Sequence, residues 1–193
     1  QGVLELAGIP LVGCNTMSSA VCMDKETAHR LARECGVKVP ASHTVTEAEL
    51  GDFSQVAQWA QELGYPLFVK PMRAGSSFGI TKVAGAKELQ AAMQHAFAYD
   101  SYVIMEEMID GFEVGCAVLG TEELVIGAVD EIELSQGFFD YTEKYTLKSS
   151  SIHVPARISP QKAEEVKAAA AKIYRSLGCS DFARVDMFLT PQG

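Results

Sequence analysis

The sequence has no apolar run near the ~20 residues that a membrane-spanning helix needs, so a helical span within it is excluded. No C-x-x-C pair is present. Cys14, Cys22, Cys35, Cys116 and Cys179 are odd in number and scattered, which argues for buried thiols in a reducing, cytoplasmic compartment. The four histidines have no metal-ligand spacing with one another or with cysteine. Gln1-Gly2-Val3-Leu4-Glu5 lacks the basic region of a signal peptide and has no methionine, so an internal cut is expected. Positive charge is scarce: 16 Lys and Arg face 25 Asp and Glu, for a net charge of −9. That argues against a nucleic-acid or anionic-membrane surface. A small polyanion would have to be held by a few placed cations, backbone N–H groups and a divalent metal.

What is there is ordinary globular material. The 193 residues are 48% hydrophobic and 21% charged, enough for one large domain or two small ones and enough apolar surface to exclude disorder. Gly8 to Gly13 reads as a turn plus short strand. A helix is expected from about Ser19 to Cys35, with Gly36 behind it. A short strand near Ser42–Val45 precedes the capping-box pattern Thr46-Glu47-Ala48-Glu49 and a helix from Phe53 to Leu63. Strands Leu67–Lys70 and Ile80–Val83 flank a loop, and a helix runs from Ala86 to Tyr99. Strands follow at Tyr102–Met108, Phe112–Leu119 and Leu124–Leu134. Ser135 to Ser151 reads as a long loop, a length that usually carries function. Ile152–Ile158 reads as a strand. Ser159-Pro160 opens a helix that ends near Leu177, and Phe182–Leu189 is a last strand. Thr190-Pro191-Gln192-Gly193 is turn chemistry with no partner strand after it, so truncation is expected at both ends.

Five segments carry candidate chemistry. In Lys70-Pro-Met-Arg-Ala-Gly-Ser-Ser-Phe-Gly79 a strand ends in lysine and a glycine- and serine-rich loop follows. Such a loop can fold over phosphates, with Lys70 as a point charge; it also reads as a surface hairpin with a solvated lysine. It is not a Walker loop, because the lysine comes first. Glu106-Glu107-Met108-Ile109-Asp110-Gly111-Phe112-Glu113 reads as an inter-strand hinge for adenine and ribose, or as an exposed Asp-Gly hairpin. Arg184 and Asp186 share one strand face; they suit an oxyanion and a metal ion, or form a surface ion pair. Phe138 to Tyr145 suggests a lid, or a loop anchored by its aromatics. Met23-Asp24-Lys25 opens a helix with a lysine that is otherwise solvated.

Taken in order, MDK, FVKPMRAGSSFG, EEMIDGFEVG, FFDYTEKY and ARVDMF resemble the D-alanine–D-alanine ligase family of the ATP-grasp superfamily over essentially the whole chain. The EIELSQGFFDYTEKYTLKSS and VPARI runs are most similar to D-alanine–D-serine ligases of the vancomycin-resistance type. The resemblance implies an α+β fold with two α+β subdomains, whose mainly antiparallel sheets clasp ATP. It places the tail of an N-terminal domain at 1–18, a central subdomain at 19–108 and an incomplete C-terminal subdomain at 109–193.

The resemblance also implies roles. Lys25 and Lys70 match phosphate lysines, and Ser76 and Ser77 lie in the glycine-rich loop. Glu106, Glu107 and Ile109 form the adenine hinge, and Glu113 is the ribose acid. Lys144 is a phosphate-side lysine. Tyr145 orders the active site with Ser76 and favours an amine nucleophile over a hydroxy acid. Arg184 steadies the oxyanion, and Asp186 binds the first of two Mg²⁺ ions. A Glu-x-Asn pair that completes the metal site would follow Gly193. The implied enzyme makes D-alanyl dipeptides for peptidoglycan precursors and glycopeptide resistance, and is a homodimer at full length. A housekeeping D-alanine–D-alanine ligase, or an inactive ATP-binding fragment, are the other readings.

Overall fold

The computed structural model of the chain describes residues 1–134 and 150–192. These divide into two compact units. The smaller comprises Met23–His29 and Val39–Ile109; the larger comprises Gln1–Cys22, Arg30–Lys38 and Asp110–Gly193.

The smaller unit is built on an antiparallel sheet of β1 (Ser42–Thr46), β2 (Leu67–Pro71), β3 (Thr81–Val83) and β4 (Tyr102–Glu107), in the order β1-β4-β2-β3. The alternation of β2 decides its facing: Leu67 and Val69 are fully buried, while Phe68 and Lys70 point the other way. The first pair meets Val103 and Met105 of β4 and Val45 of β1 on one face. Helices α4 (Phe53–Leu63) and α5 (Ala86–Phe97) close that face. They do so because Val56 and Ala60, and Leu89, Met93 and Ala96, recur at helical spacing. Each fully buried Leu, Val or Met side chain contributes about 1.5–3 kcal/mol. The opposite face presents Lys70, and beside it Glu106.

The larger unit carries a second antiparallel sheet, β5 (Phe112–Leu119), β6 (Val125–Leu134), β7 (Ser150–His153) and β8 (Phe182–Leu189), ordered β7-β6-β5-β8. Helix α6 (Pro160–Ser176) covers one face, packing Val166, Ala170 and Tyr174 against Val114, Cys116, Val118 and Val129. Ser159 caps α6 by accepting from Lys162 N–H at 3.2 Å, with Pro160 at the first helical position, as its sequence indicates. The Tyr174 hydroxyl donates to Gly120 O at 2.6 Å, tying the helix to the β5–β6 turn.

Three expectations are corrected. The helix expected over Ser19–Cys35 is two helices, α2 (Thr16–Met23) and α3 (Lys25–Glu34). The break falls at Asp24, whose Oδ1 accepts from Thr27 N–H at 2.9 Å, so this residue caps a new helix instead of continuing the old one. The strand expected over Ile152–Ile158 ends at His153. Pro155 has no N–H to give the ladder, and Arg157 N–H goes to the Glu131 carboxylate at 2.9 Å. Gly8–Gly13 contains no strand; α1 (Gly2–Leu6) precedes it. Most of the loop read at 135–151 lies outside the described residues.

Candidate functional site

In the smaller unit, Phe68 stands opposite Glu106 and Lys70 opposite Ile104, so Lys70 and Glu106 are diagonal neighbours on one sheet face. Their ammonium and carboxylate are in direct contact. The Glu106 side chain is only 4% exposed, and His29 Nδ1 lies 3.9 Å from its other oxygen. Glu107 closes the strand end: its Oε1 accepts from Ala41 N–H at 2.7 Å, and its own N–H donates to Ala41 O at 3.0 Å. Ile109, beyond the strand, is half-buried.

Lys25, at the start of α3, reaches the loop that follows β2. Its Nζ donates to Pro71 O at 2.9 Å, Ala74 O at 3.1 Å and Met72 O at 3.2 Å. An ammonium has three N–H donors, and these three carbonyls take them all. Burial holds the Lys25 pKa below its ordinary value and the nearby Lys70 cation adds to this, against the opposing pull of Glu106, Asp100 and Asp24. The geometry therefore gives Lys25 a structural task, which is to gather the backbone at the root of the loop.

The same loop is anchored from outside. Asp100 Oδ2 accepts from Arg73 N–H at 2.8 Å, and the Arg73 guanidinium lies 5.1 Å from the Tyr102 ring centroid. Ser76 and Ser77 both adopt positive φ, 51° and 59°. Two successive non-glycine residues in this region are costly and mark segments whose backbone is held for a purpose. Gly79 has φ +70°, and a Cβ there would sit 2.6 Å from Pro71 Cγ, so glycine is required.

In the larger unit, the face of the sheet away from α6 carries the chemistry. Gly115 of β5 stands opposite Asp130 of β6 on one side and Asp186 of β8 on the other. Arg184, two residues before Asp186, lies across the glycine. Its Nη2 donates to Asp130 Oδ1 at 2.9 Å, and its Nε pairs with Asp186 Oδ1 at 2.9 Å. A Cβ on Gly115 would be 2.3 Å from Arg184 Nη2. The missing side chain is what lets a guanidinium lie on the sheet between two carboxylates. Glu113, half-buried, is two residues earlier on the same strand face. A groove bounded by Asp110, Phe112, Arg157, Lys162 and Leu189 also belongs to this unit and includes none of these residues.

The chain belongs by sequence to a known family: residues 31–193 match the model of the D-Ala–D-Ala ligase C-terminus. It is a member of the D-Ala–D-Ala ligase family. The VanG D-Ala:D-Ser ligase of Enterococcus faecalis superposes with a TM-score of 0.90 at 58% identity, over 100% of this chain and 55% of that one. The vancomycin C-type resistance protein VanC1 of Enterococcus gallinarum is 44% identical over 193 residues, 100% of this chain and 56% of that protein. The Bacillus anthracis D-alanine–D-alanine ligase, solved in complex with ATP, matches at a TM-score of 0.80 and 30% identity, over 99% of this chain and 58% of that one. The chain thus spans little more than half the length of these relatives, and its fold is the α+β ATP-grasp arrangement of this ligase family.

Within that family frame, the residues singled out from sequence fall into local groups. Lys25, Lys70, Ser76, Ser77, Glu106, Glu107 and Ile109 belong to the smaller unit; Glu113, Arg184 and Asp186 belong to the larger. Lys144 and Tyr145 lie outside the described residues. Sequence reading missed Asp130, Gly115, Arg73 and Asp100. A glycine inside a strand is a signal of close approach and could have drawn attention to Gly115; nothing local marks Asp130.

Asp186 is 53% exposed and offers a hard carboxylate, and no cluster of three or more metal-capable side chains occurs among the described residues. One carboxylate fits Mg²⁺ as a partial ligand, since this ion is commonly held by one or two carboxylates together with phosphate oxygens and water. No helix among the described residues is long and apolar enough to cross a membrane.

Proposed function

We propose that the chain is part of an enzyme that joins D-alanine to a second D-amino acid using ATP, with D-serine as the favoured second substrate. The observation that carries the reading is 58% identity to a D-Ala:D-Ser ligase across the full length of this chain. The carboxylate of the first D-alanine attacks the γ-phosphorus of ATP; the bond to the bridging oxygen breaks, giving an acyl phosphate and ADP. The amine of the second amino acid then attacks the acyl carbon. The C–O bond to phosphate breaks, and the amine proton leaves to solvent.

Arg184 is the group for the oxyanion that develops on that carbon. Its planar donors are held in place by Asp130 and Asp186 before substrate arrives, and preorganised donors of this kind are a large catalytic term. Lys70 provides positive charge for the phosphates. Lys25 acts on them through the loop whose carbonyls it gathers, and Ser76 and Ser77 offer that loop's N–H and hydroxyl donors. Glu106, Glu107 and Ile109 serve adenine, and Glu113 the ribose. Asp186 holds Mg²⁺, which when bound offsets phosphate charge. Lys144 and Tyr145 belong to the segment that excludes water from the labile acyl phosphate. The complete protein is a cytoplasmic homodimer in this reading and serves peptidoglycan precursor synthesis and vancomycin resistance.

A second reading, a housekeeping D-alanine–D-alanine ligase, is supported by the Bacillus anthracis likeness. ADP release by the full-length protein, followed with D-alanine plus D-serine, D-alanine or D-lactate, separates them. D-Alanyl-D-serine should form with the highest kcat/KM. A preference for D-alanine as acceptor supports the second reading, and failure to form any D-alanyl dipeptide overturns both.

A further inference from the structure

Cys22 and Cys179 are far apart in sequence but adjacent in the larger unit, with their sulfurs 3.6 Å apart. Cys22 is exposed at the end of α2, and Cys179 is half-buried in the turn between α6 and β8. The two segments are fixed to each other by contacts on both sides of the thiols. Asp181 Oδ2 accepts from Gly13 N–H at 2.8 Å, and the Ser176 hydroxyl donates to Leu31 O at 3.0 Å. A third thiol, Cys14, also interacts with Cys179, but it is less exposed than Cys22 and its Sγ donates to Ser180 O at 3.3 Å. None of these cysteines takes part in the ligase site described above, and the sequence reading gave them no role beyond small buried hydrophobes.

We propose that Cys22 and Cys179 are a dithiol modification site that closes to a reversible disulfide on reaction with hydrogen peroxide. The exposed Cys22 is the attacking sulfur. The hydrogen bond with Cys179 holds its thiol down to about 7, while the same contact raises Cys179. A thiolate fraction near neutral pH on an accessible sulfur is what such oxidation requires.

The Cys22 thiolate attacks a peroxide oxygen. The O–O bond breaks, Cys22 becomes a sulfenic acid, and the departing oxygen takes a proton and leaves as water. The Cys179 sulfur then attacks the Cys22 sulfur. The S–O bond breaks, the S–S bond forms, and the thiol proton leaves with the hydroxyl as a second water. The two sulfurs together lose two electrons and the peroxide gains them. The sulfurs, 3.6 Å apart, must approach to the ~2.05 Å of a disulfide bond while the flanking contacts hold the two backbone segments together. The cross-link would fasten the end of α2 to the turn that enters β8, the strand bearing Arg184 and Asp186.

The test is thiol mapping on the full-length protein. Reduced protein is pulsed with hydrogen peroxide, quenched with a thiol alkylator, digested without reductant and analysed by mass. The expected result is a Cys22–Cys179 linked peptide, lighter by two hydrogens than the sum of its halves and lost on treatment with dithiothreitol. Cys14→Ser should leave the link intact, and Cys179→Ser should instead accumulate oxidised, unlinked Cys22. A link through Cys14, or Cys22 driven to higher oxides while Cys179 stays alkylatable in the wild-type protein, overturns the proposal. Recovery of both thiols unmodified also overturns it. The wild-type mapping decides even where a variant fails to fold, and its outcome does not depend on the ligase reading.

Discussion

Arg184 crosses the bare backbone of Gly115 to meet Asp130, with Nη2 and Oδ1 2.9 Å apart. The contact joins β8 to β6 over the strand between them, and it exists because β5 has no side chain at that point. Replacing the glycine tests both the packing and the proposed role. In Gly115→Ala a Cβ would fall 2.3 Å from Arg184 Nη2 and 2.6 Å from its Nε, so the guanidinium must leave its place. Removal of a preorganised oxyanion donor typically lowers kcat by about 100- to 1,000-fold, and the full-length variant should lose activity on that order. Nucleotide binding, measured by calorimetry, should change far less. An unchanged kcat would remove Arg184 from the proposed chemistry.

Asp130 should matter through Arg184 alone. Asp130→Asn keeps the shape and one acceptor but removes the charge that holds the guanidinium, whose Nε still has Asp186. A fall in kcat of roughly 10-fold, equivalent to about 1.4 kcal/mol of transition-state stabilisation, with KM for ATP unchanged, is the expected outcome, because Arg184 keeps a hydrogen bond there but loses the opposite charge that anchors it. A larger rise in KM for ATP than fall in kcat would assign Asp130 to nucleotide binding instead.

How much of this was legible beforehand can be judged residue by residue. The alternation in Ala183-Arg184-Val185-Asp186-Met187-Phe188-Leu189 gave the strand, its two faces and the shared facing of Arg184 and Asp186. Ser159-Pro160 gave the start of α6, because capping and ring geometry are local. The break at Asp24 was half legible: Met23-Asp24-Lys25 reads as a helix start, but helix-forming residues from Ser19 to Met23 hide the separate helix that ends just before it. The three carbonyls on Lys25, and the Asp130–Gly115–Asp186 row, are relationships between distant segments and have no local signature. The family resemblance named Lys25 as a phosphate lysine but carried no information about its hold on the loop backbone.

Lys70 and Glu106 form a pair in which the carboxylate is almost wholly enclosed. Removing one partner leaves the other buried and unpaired, which commonly costs about 3–5 kcal/mol, whereas removing both charges costs much less. Lys70→Met should therefore lower stability in chemical denaturation by about 3 kcal/mol, and Lys70→Met with Glu106→Gln should recover a substantial part of it. Additive losses in the double variant would show that the two groups do not stabilise each other.

Glu131 accepts from Arg157 three times: from N–H at 2.9 Å, Nε at 3.3 Å and Nη2 at 2.6 Å. The hydrogen bonds from Arg157 are the main reason its carboxyl lies below the ordinary value of 4.5. A carboxylate with a depressed folded pKa stabilises the fold at pH values above its unfolded pKa. It gives that stability up as pH falls through the lower, folded value. Glu133, lowered first by His153 and then by Arg157, acts in the same direction. Arg157→Met should thus lower Tm at pH 7, and the gap from wild type should narrow steadily below about pH 4.5 as both carboxylates protonate. A gap that stays constant down to strongly acid pH would mean that Arg157 stabilises by packing rather than charge.

Tyr174 gives the last test, because its ring and its hydroxyl do different work. The residue is 1% exposed and lies in the core of the larger unit, while the hydroxyl donates to Gly120 O at 2.6 Å. Tyr174→Phe keeps the ring and strands the carbonyl of a tight turn, which should cost about 1–2 kcal/mol. Tyr174→Ala also empties the core position and should cost about 3–5 kcal/mol. Urea denaturation of the two variants measures both values. Equal losses would mean that the hydroxyl carries the whole effect and the ring none, against its position beside Val114, Cys116 and Val166 in the same cluster.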